Sequence, residues 1–307
     1  MKKTTFKKTQ NRDRIQLNLM SVPGLLLVLI FSYLPMVGII IAFKSFNPNL
    51  GIFGSKWVGF DNFRFFFMSD DFGLLMRNTI GYAICFLVLG NLFNMILAIM
   101  FYNIRNKAVL KYYQTTAILP TFMSIVLVSY LVYIFLDPAN GLVNRMLLSL
   151  GMDKIAWYTE PKYWPYILNF VNLWKGIGYG SLLYYATIVG IDQSLFDAAK
   201  IDGASKFQQI MHIIVPELSS LICLQLIMGV GGIMGGDFGL FYQVPRNVAV
   251  LYETTDIFNT YVFRALQGGS TMGRTTAIGL FQSLCGIVLL LLTNAAIKKI
   301  DADKSMF

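Results

Sequence analysis

Between two apolar segments the chain reads Ser194-Leu195-Phe196-Asp197-Ala198-Ala199-Lys200-Ile201-Asp202-Gly203-Ala204-Ser205-Lys206-Phe207, closing at Ile213-Ile214-Val215-Pro216. It reads as a short helix with both ends marked. Ser194 stands where it can cap the N-terminus, and Asp197, three residues on, completes a capping-box-like pair and suits the positive helix end. Gly203 is placed to stop the helix in the left-handed conformation that only glycine adopts cheaply. Ser205 can cap a second helix, and Pro216 falls where the next long helix would begin. Ala198, Ala199 and Ala204 leave one flank nearly flat. The residues alone admit two readings: an ordinary capped connector, or a helix shaped to lie in a groove on another protein.

Outward from this stretch the chain is apolar. Six segments reach the roughly 20 helical residues that a hydrocarbon core requires: Leu17–Phe43, Asn78–Tyr102, Tyr113–Leu136, Tyr166–Gly190, Leu218–Gly236 and Thr275–Ile297. The first contains Pro23 and Pro35, lacks a small-residue cleavage pattern, and is expected to stay as a signal-anchor span. The expected organisation is a basic tail over 1–16, a single transmembrane domain over 17–297 with its connecting segment at 191–217, and a short tail over 298–307. Lys2, Lys3, Lys7, Lys8, Arg12 and Arg14 place the N-terminus in the cytoplasm. Six spans return the C-terminus, with Lys298, Lys299 and Lys304, to the same side. The loop with Arg105, Lys107 and Lys111 is also expected there. Of the outer segments, one carries Phe60, Phe63, Phe65, Phe66 and Phe67, suited to an interfacial helix or packed cap. The other carries the turn signal Asp137-Pro138-Ala139-Asn140-Gly141.

Composition agrees with an all-α membrane protein. Of 307 residues, 56% are hydrophobic and only 13% charged, where soluble domains run nearer one-quarter charged. The net charge of +9 reflects basic residues flanking apolar runs, so nucleic acid is not an expected partner. Cys85, Cys223 and Cys285 lie in separate apolar runs without metal or redox spacing. No G-x-x-x-x-G-K-[ST] loop occurs, so the chain is not expected to hydrolyse ATP, and no nucleophile–histidine arrangement accompanies the lone His212.

An ion-coupled secondary transporter is the first alternative. Such proteins place ionisable groups at mid-membrane, yet five of the six segments contain no Asp, Glu, Lys or Arg. Lys175 is the exception. It reads either as a donor to substrate or as a side chain held by backbone carbonyls. A structural membrane anchor is the second alternative, opposed by the fifth segment, where Gly229, Gly231, Gly232, Gly235, Gly236 and Gly239 permit close packing or unwinding beside Asp237, Tyr242 and Gln243. Polar groups beside aromatic faces suit a sugar. The candidate substrate-path residues are therefore Asp237, Tyr242, Gln243, Trp174 and Lys175.

The central stretch resembles the signature of binding-protein-dependent ABC importer permeases. That pattern runs Glu-Ala-Ala, two residues, Asp-Gly-Ala, an aromatic, and a closing Ile-x-Leu-Pro. Here Asp197-Ala198-Ala199, Asp202-Gly203-Ala204, Phe207 and Ile213-Ile214-Val215-Pro216 occupy those places. Asp197 replaces the family's Glu and Val215 its Leu. Asp137-Pro138 with Gly141-Leu142-Val143-Asn144, the run Gly236–Pro245, and Thr260–Arg264 are similar to permeases for sugars, oligosaccharides and polysaccharide fragments. The resemblance implies a type I importer fold of six transmembrane helices with a cytoplasmic coupling helix, in the bacterial plasma membrane. Asp197, Ala198, Ala199, Asp202, Gly203, Ala204, Phe207 and Pro216 would then contact the ATPase. It further implies a second, related permease chain as heterodimer partner, an ATPase dimer carrying ATP and Mg, an extracytoplasmic solute-binding protein and a sugar cargo. The alternative within the family is a permease for a non-sugar solute.

Overall fold

The computed structural model describes residues 18–269 and 271–301; the basic tail 1–16, Leu17 and Lys304 lie outside the described residues. Among the described residues, three helices are long and apolar enough to cross a membrane: α1 (Asn18–Phe43), α3 (Asp71–Tyr102) and most of α13 (Met272–Ile300). Helix α2 (Asp61–Phe67) is short. Two bent pairs raise the number of crossings to as many as five. One is α4 (Lys107–Ile118, continued by a tight turn to Phe122) with α5 (Ile125–Leu136), bent by 99°. Helix α6 (Leu142–Ser149) follows it. The fourth expected segment is α7 (Trp164–Val189), 26 residues long and so about 39 Å at 1.5 Å per residue. Asn169, Asn172 and Lys175 dilute its apolarity. After α8 (Gln193–Ile201) comes the second bent pair, α9 (Lys206–Glu217) and α10 (Ser219–Gly231), bent by 51°. Then follow α11 (Phe238–Gln243) and α12 (Phe258–Gln267).

Two boundaries differ from the sequence expectation. The third span is not straight, because Pro120 sits in the turn that ends α4 and Ser124 starts a new helix by accepting from Leu127 N–H at 3.3 Å. The fifth expected segment is helical over Ser219–Gly231, ending at Gly231 rather than Gly236, and Pro216 lies just before it at the end of α9, which meets α10 at the 51° bend. Proline within a helix removes one N–H and crowds the carbonyl four residues back. Both α1 and α9 absorb this in the same register. Leu29–Tyr33 widens into a π-turn ahead of Pro35, and Ile210–Ile214 does so ahead of Pro216.

The chain forms two compact units, one from residues 18–68 with 266–280, the other from 69–265 with 281–301. In the first, strands β1 (Lys44–Ser45) and β2 (Lys56–Trp57) pair antiparallel after α1. Lys44 is buried, its ammonium donating to the carbonyls of Ile52 and Phe53 at 2.7 and 3.0 Å. Asn62 Nδ2 donates to Ala42 and Lys44 carbonyls. The aromatic run is a helix packed on one side: Phe66 is buried, Phe60, Phe65 and Phe67 are exposed, and Phe43 stacks on Trp57.

In the second unit, Tyr82, Trp164, Leu168, Leu240 and Phe241 form one core and Ala98, Tyr184, Phe196, Ile214 and Leu218 another. The loop before α12 is fixed by a buried ion pair, Arg264 with Asp256. Thr260 Oγ1 also donates to Asp256 at 2.6 Å, and the Arg264 guanidinium lies 3.8 Å from the Tyr252 ring centre. Asn78 Nδ2 and Tyr82 OH tie α3 to the same loop through the carbonyls of Asp256 and Thr254. Removing one partner of a buried pair strands the other charge, at about 3–5 kcal/mol. Arg264→Met should therefore lower the thermal unfolding temperature of the detergent-solubilised protein markedly. The double change with Asp256→Asn should recover much of the loss.

Candidate functional site

Two regions of the second unit carry the chemistry. The first is the connecting segment around α8. Its N-cap is Asp192, not the expected Ser194: Asp192 Oδ1 accepts from Ser194 N–H at 2.9 Å. That bond holds the Asp192 carboxyl below its usual range. Asp197 instead accepts from Lys200 Nζ at 2.8 Å, and this bond, then one from Gln193, likewise depresses its pKa. The C-terminus is a Schellman closure. Gly203 adopts φ +74°, its N–H donates to Lys200 O at 3.1 Å, and Ala204 N–H donates to Ala199 O at 2.8 Å. Ser205 and Gln208 then form a reciprocal capping box that starts α9. Ala198, Asp202 and Pro216 are exposed, and Ala199 and Ala204 are half-buried.

This segment presents apolar surface outward while being anchored inward. Ile201 is 87% and Phe207 71% exposed. Phe196, on the opposite face of α8, is buried against Ala98, Ile188 and Ile214, with its ring 5.9 Å from that of Tyr102. Tyr102 and Ala98 belong to α3, so α8 and α3 share one packed core.

The second region is a cavity of about 550 Å³ along the same α3. Its lining runs from Thr79 to Asn94 on one side, about 22 Å of helix. Gln225 and Met228 of α10, the glycines Gly229, Gly232 and Gly236, and Asp237 and Phe241 face it. The chain unwinds after Gly231, and Gly236 takes φ +64° before Asp237 caps α11 by accepting from Leu240 N–H at 3.0 Å. Gln282 Nε2 braces the unwound stretch by donating to Met234 O at 2.8 Å. Close helix approach does the rest: a Cβ on Gly286 would lie 2.8 Å from Gly231 O.

Of the five expected path residues, only Asp237 lines this cavity. Tyr242 stacks on Phe238 and meets Phe263 edge-on, and Gln243 follows it at the end of α11. Trp174 lines a separate apolar cleft with Phe170 and Phe135. Lys175 donates to Thr121 O at 3.4 Å while Thr121 Oγ1 donates to Lys175 O at 2.8 Å, a brace across the bend between α4 and α5. Asn91, Asn94 and Gln225, which do line the cavity, carry no charge and escape a search for ionisable groups. An amide inside an apolar span is the signal that finds them.

Comparison with known proteins places the chain. Residues 90–303 match the family described as binding-protein-dependent transport system inner membrane component. Protein LplB of Bacillus subtilis (strain 168) is 35% identical over 290 residues, covering 94% of this chain and 90% of the relative. The polygalacturonan/rhamnogalacturonan transport system permease protein YteP of the same organism is 33% identical, covering 94% and 89%. Among solved structures, a bacterial ABC transporter involved in the import of the acidic polysaccharide alginate contains a chain that superposes with a TM-score of 0.86 at 33% identity, over 97% of this chain and 99% of that one. The protein belongs to the family of inner membrane permease components of binding-protein-dependent transport systems.

Proposed function

We propose that this chain forms half of the pathway by which an ATP-driven importer moves a saccharide across the bacterial plasma membrane, with both termini cytoplasmic. One observation carries the reading. Helix α3 lines the cavity along Thr79–Asn94 and, a turn further on, packs Ala98 and Tyr102 against Phe196 of α8. A push on α8 therefore reaches the cavity wall through one continuous helix. In this reading α8 docks by Asp197, Ala198, Ala199, Asp202, Gly203, Ala204 and Phe207 onto a separate ATPase dimer. ATP and Mg bind there, and this chain performs no hydrolysis. Pro216 and its π-turn let the segment lean into the fifth span. A related second permease completes the pathway as a heterodimer, and a binding protein delivers cargo to the outer face. The relatives named for polygalacturonan and alginate import support a saccharide cargo. So do the amides and aromatic faces of the cavity, since sugars offer hydroxyls and apolar ring faces.

The test is uptake by the complete importer in proteoliposomes. Replacing Gln225 with Leu removes one hydrogen-bonding group of about 0.5–1.5 kcal/mol, which corresponds to roughly 2–10-fold slower saccharide uptake with unchanged assembly with the ATPase. Unaltered uptake for both Gln225→Leu and Asn94→Ala would remove the cavity from the pathway.

A further inference from the structure

We infer that the hairpin β1–β2 and helix α2 form an anchor seated in the lipid–water interface of the bilayer, with phospholipid as its partner. The inference needs only that α1 crosses the membrane. It is independent of the cargo and of the side on which the chain begins.

The placing of polar and apolar groups in this unit is the first observation. A hairpin standing in water hides its aromatic rings and wets its polar groups. Here the order is reversed. Lys44, Ser55 and Asn62 are buried, and each spends its polar atoms on backbone. The Lys44 ammonium donates to the Ile52 and Phe53 carbonyls, and Asn62 Nδ2 to those of Ala42 and Lys44. Ser55 Oγ donates to Gly51 O at 2.6 Å and accepts from Asn47 N–H at 3.0 Å. Outside, Phe53 is 82%, Phe60 73% and Trp57 60% exposed. Backbone satisfied from within and rings turned outward suit surroundings poorer in hydrogen bonds than water.

The depth of these rings is the second observation. Phe43 is the last residue of α1, and β1 follows it with no linker. The Phe43 ring stacks on Trp57 with centres 5.7 Å apart and planes 10° apart, and it meets Phe60 and Phe63 at 5.5 and 5.4 Å. Asn62 closes the same joint from α2 by holding the carbonyls on either side of Phe43. The rings therefore stand one ring's width from the point where the apolar span ends. That level is the boundary between acyl chains and headgroups, where amphipathic aromatic side chains concentrate. A soluble partner approaches from the far side of the headgroups, whereas these rings are tied to the end of the span.

Charge around the rings also fits a phospholipid surface. Lys56, beside Trp57, and Arg64 are exposed, and the Arg274 guanidinium lies 3.6 Å from the Phe65 ring centre. Long basic side chains lay their stems on apolar surface and send their charge toward phosphate. Asp61, the one acid on α2, stands at its first position, where the helix dipole favours it.

The experiment measures quenching of Trp57 in the complete importer embedded in nanodiscs, as the difference in emission between wild type and Trp57→Phe. Lipids brominated in the upper acyl chain should lower that difference about twofold or more, and lipids brominated near the chain ends should lower it less, as for a ring about 5–10 Å into the headgroup–acyl boundary. Aqueous iodide should leave most of it. Phe60→Trp, which changes an exposed position and keeps Trp57, should add emission with the same order of quenching. Strong iodide quenching without bromolipid quenching overturns the inference, since the rings then face water. Protection from both quenchers overturns it too, because a protein subunit then covers them. Either result leaves the family assignment and the translocation pathway as they stand.

Discussion

Gly178→Ala is expected to leave little assembled protein and no transport, while Gly176→Ala, two residues away on α7, is expected to behave as wild type or better. A Cβ at Gly178 would lie 1.9 Å from Ala117 O, 2.3 Å from Ala117 C and 2.7 Å from Ile118 N, all backbone atoms of α4. A flexible side chain could swing aside, but a helix backbone moves only as a whole. That movement is opposed close by, where Thr121 Oγ1 donates to Lys175 O and the Lys175 ammonium returns to Thr121 O. The methyl group must therefore separate α4 from α7 or break the brace. Overpacking a filled interior costs about 1–3 kcal/mol, and occasionally more; contact with backbone at these distances belongs at the upper end. At Gly176 a Cβ meets nothing within 4 Å, and alanine in a helix is about 0.5–1 kcal/mol better than glycine. Monodispersity and thermal unfolding of the detergent-solubilised chain, with uptake alongside, read both variants. Wild-type stability for Gly178→Ala would mean that α4 and α7 do not approach as described.

The same contrast shows where sequence reading works. Gly203 and Ser205 were legible because their work is local: a left-handed φ and a capping box are set by residues within one turn. The cap at Asp192 was not, although equally local, because Asp192, Gln193 and Ser194 all offer polar side chains and only backbone geometry decides which one precedes the first helical residue. Apolar length locates five of the six expected segments on helices or bent pairs apolar enough to cross a membrane, and misses on α7, whose polar residues dilute it. The 99° bend does not follow from it, since Pro120 licenses a break without fixing its angle, which is held by Lys175 from 54 residues away. The cavity was the least legible part. Its wall comes from three separated stretches, and its amides sit among apolar neighbours that look like ordinary span residues. Asp237 is legible because a carboxylate beside glycines is conspicuous; Tyr242, Trp174 and Lys175 are as polar or aromatic, yet packing turns them toward other partners.

Gly203→Pro should abolish uptake while the chain still inserts in the membrane and remains folded in its spans. Proline fixes φ near −65°, whereas Gly203 stands at +74°, so the native closure of α8 is unreachable. The substitution also deletes the N–H that donates to Lys200 O, and the turn that brings Ala204 N–H to Ala199 O opens with it. Ser205 then starts α9 from a different direction, and the exposed Phe207 moves relative to α8. Together these amount to about 3 kcal/mol or more of local penalty, concentrated in a segment whose interior anchor, Phe196, lies a full turn and more before the change. Gly203→Ala separates strain from shape. It keeps the N–H, adds only the left-handed penalty of about 1–2 kcal/mol, and should slow uptake without abolishing it. Saccharide uptake and ATP hydrolysis by the reconstituted importer, measured beside the amount of inserted chain, distinguish the outcomes. Loss of uptake with a normal amount of inserted chain assigns α8 to force transmission. Normal uptake in Gly203→Pro would return the segment to the role of a connector, because no rigid docking helix survives the loss of its own C-terminal closure.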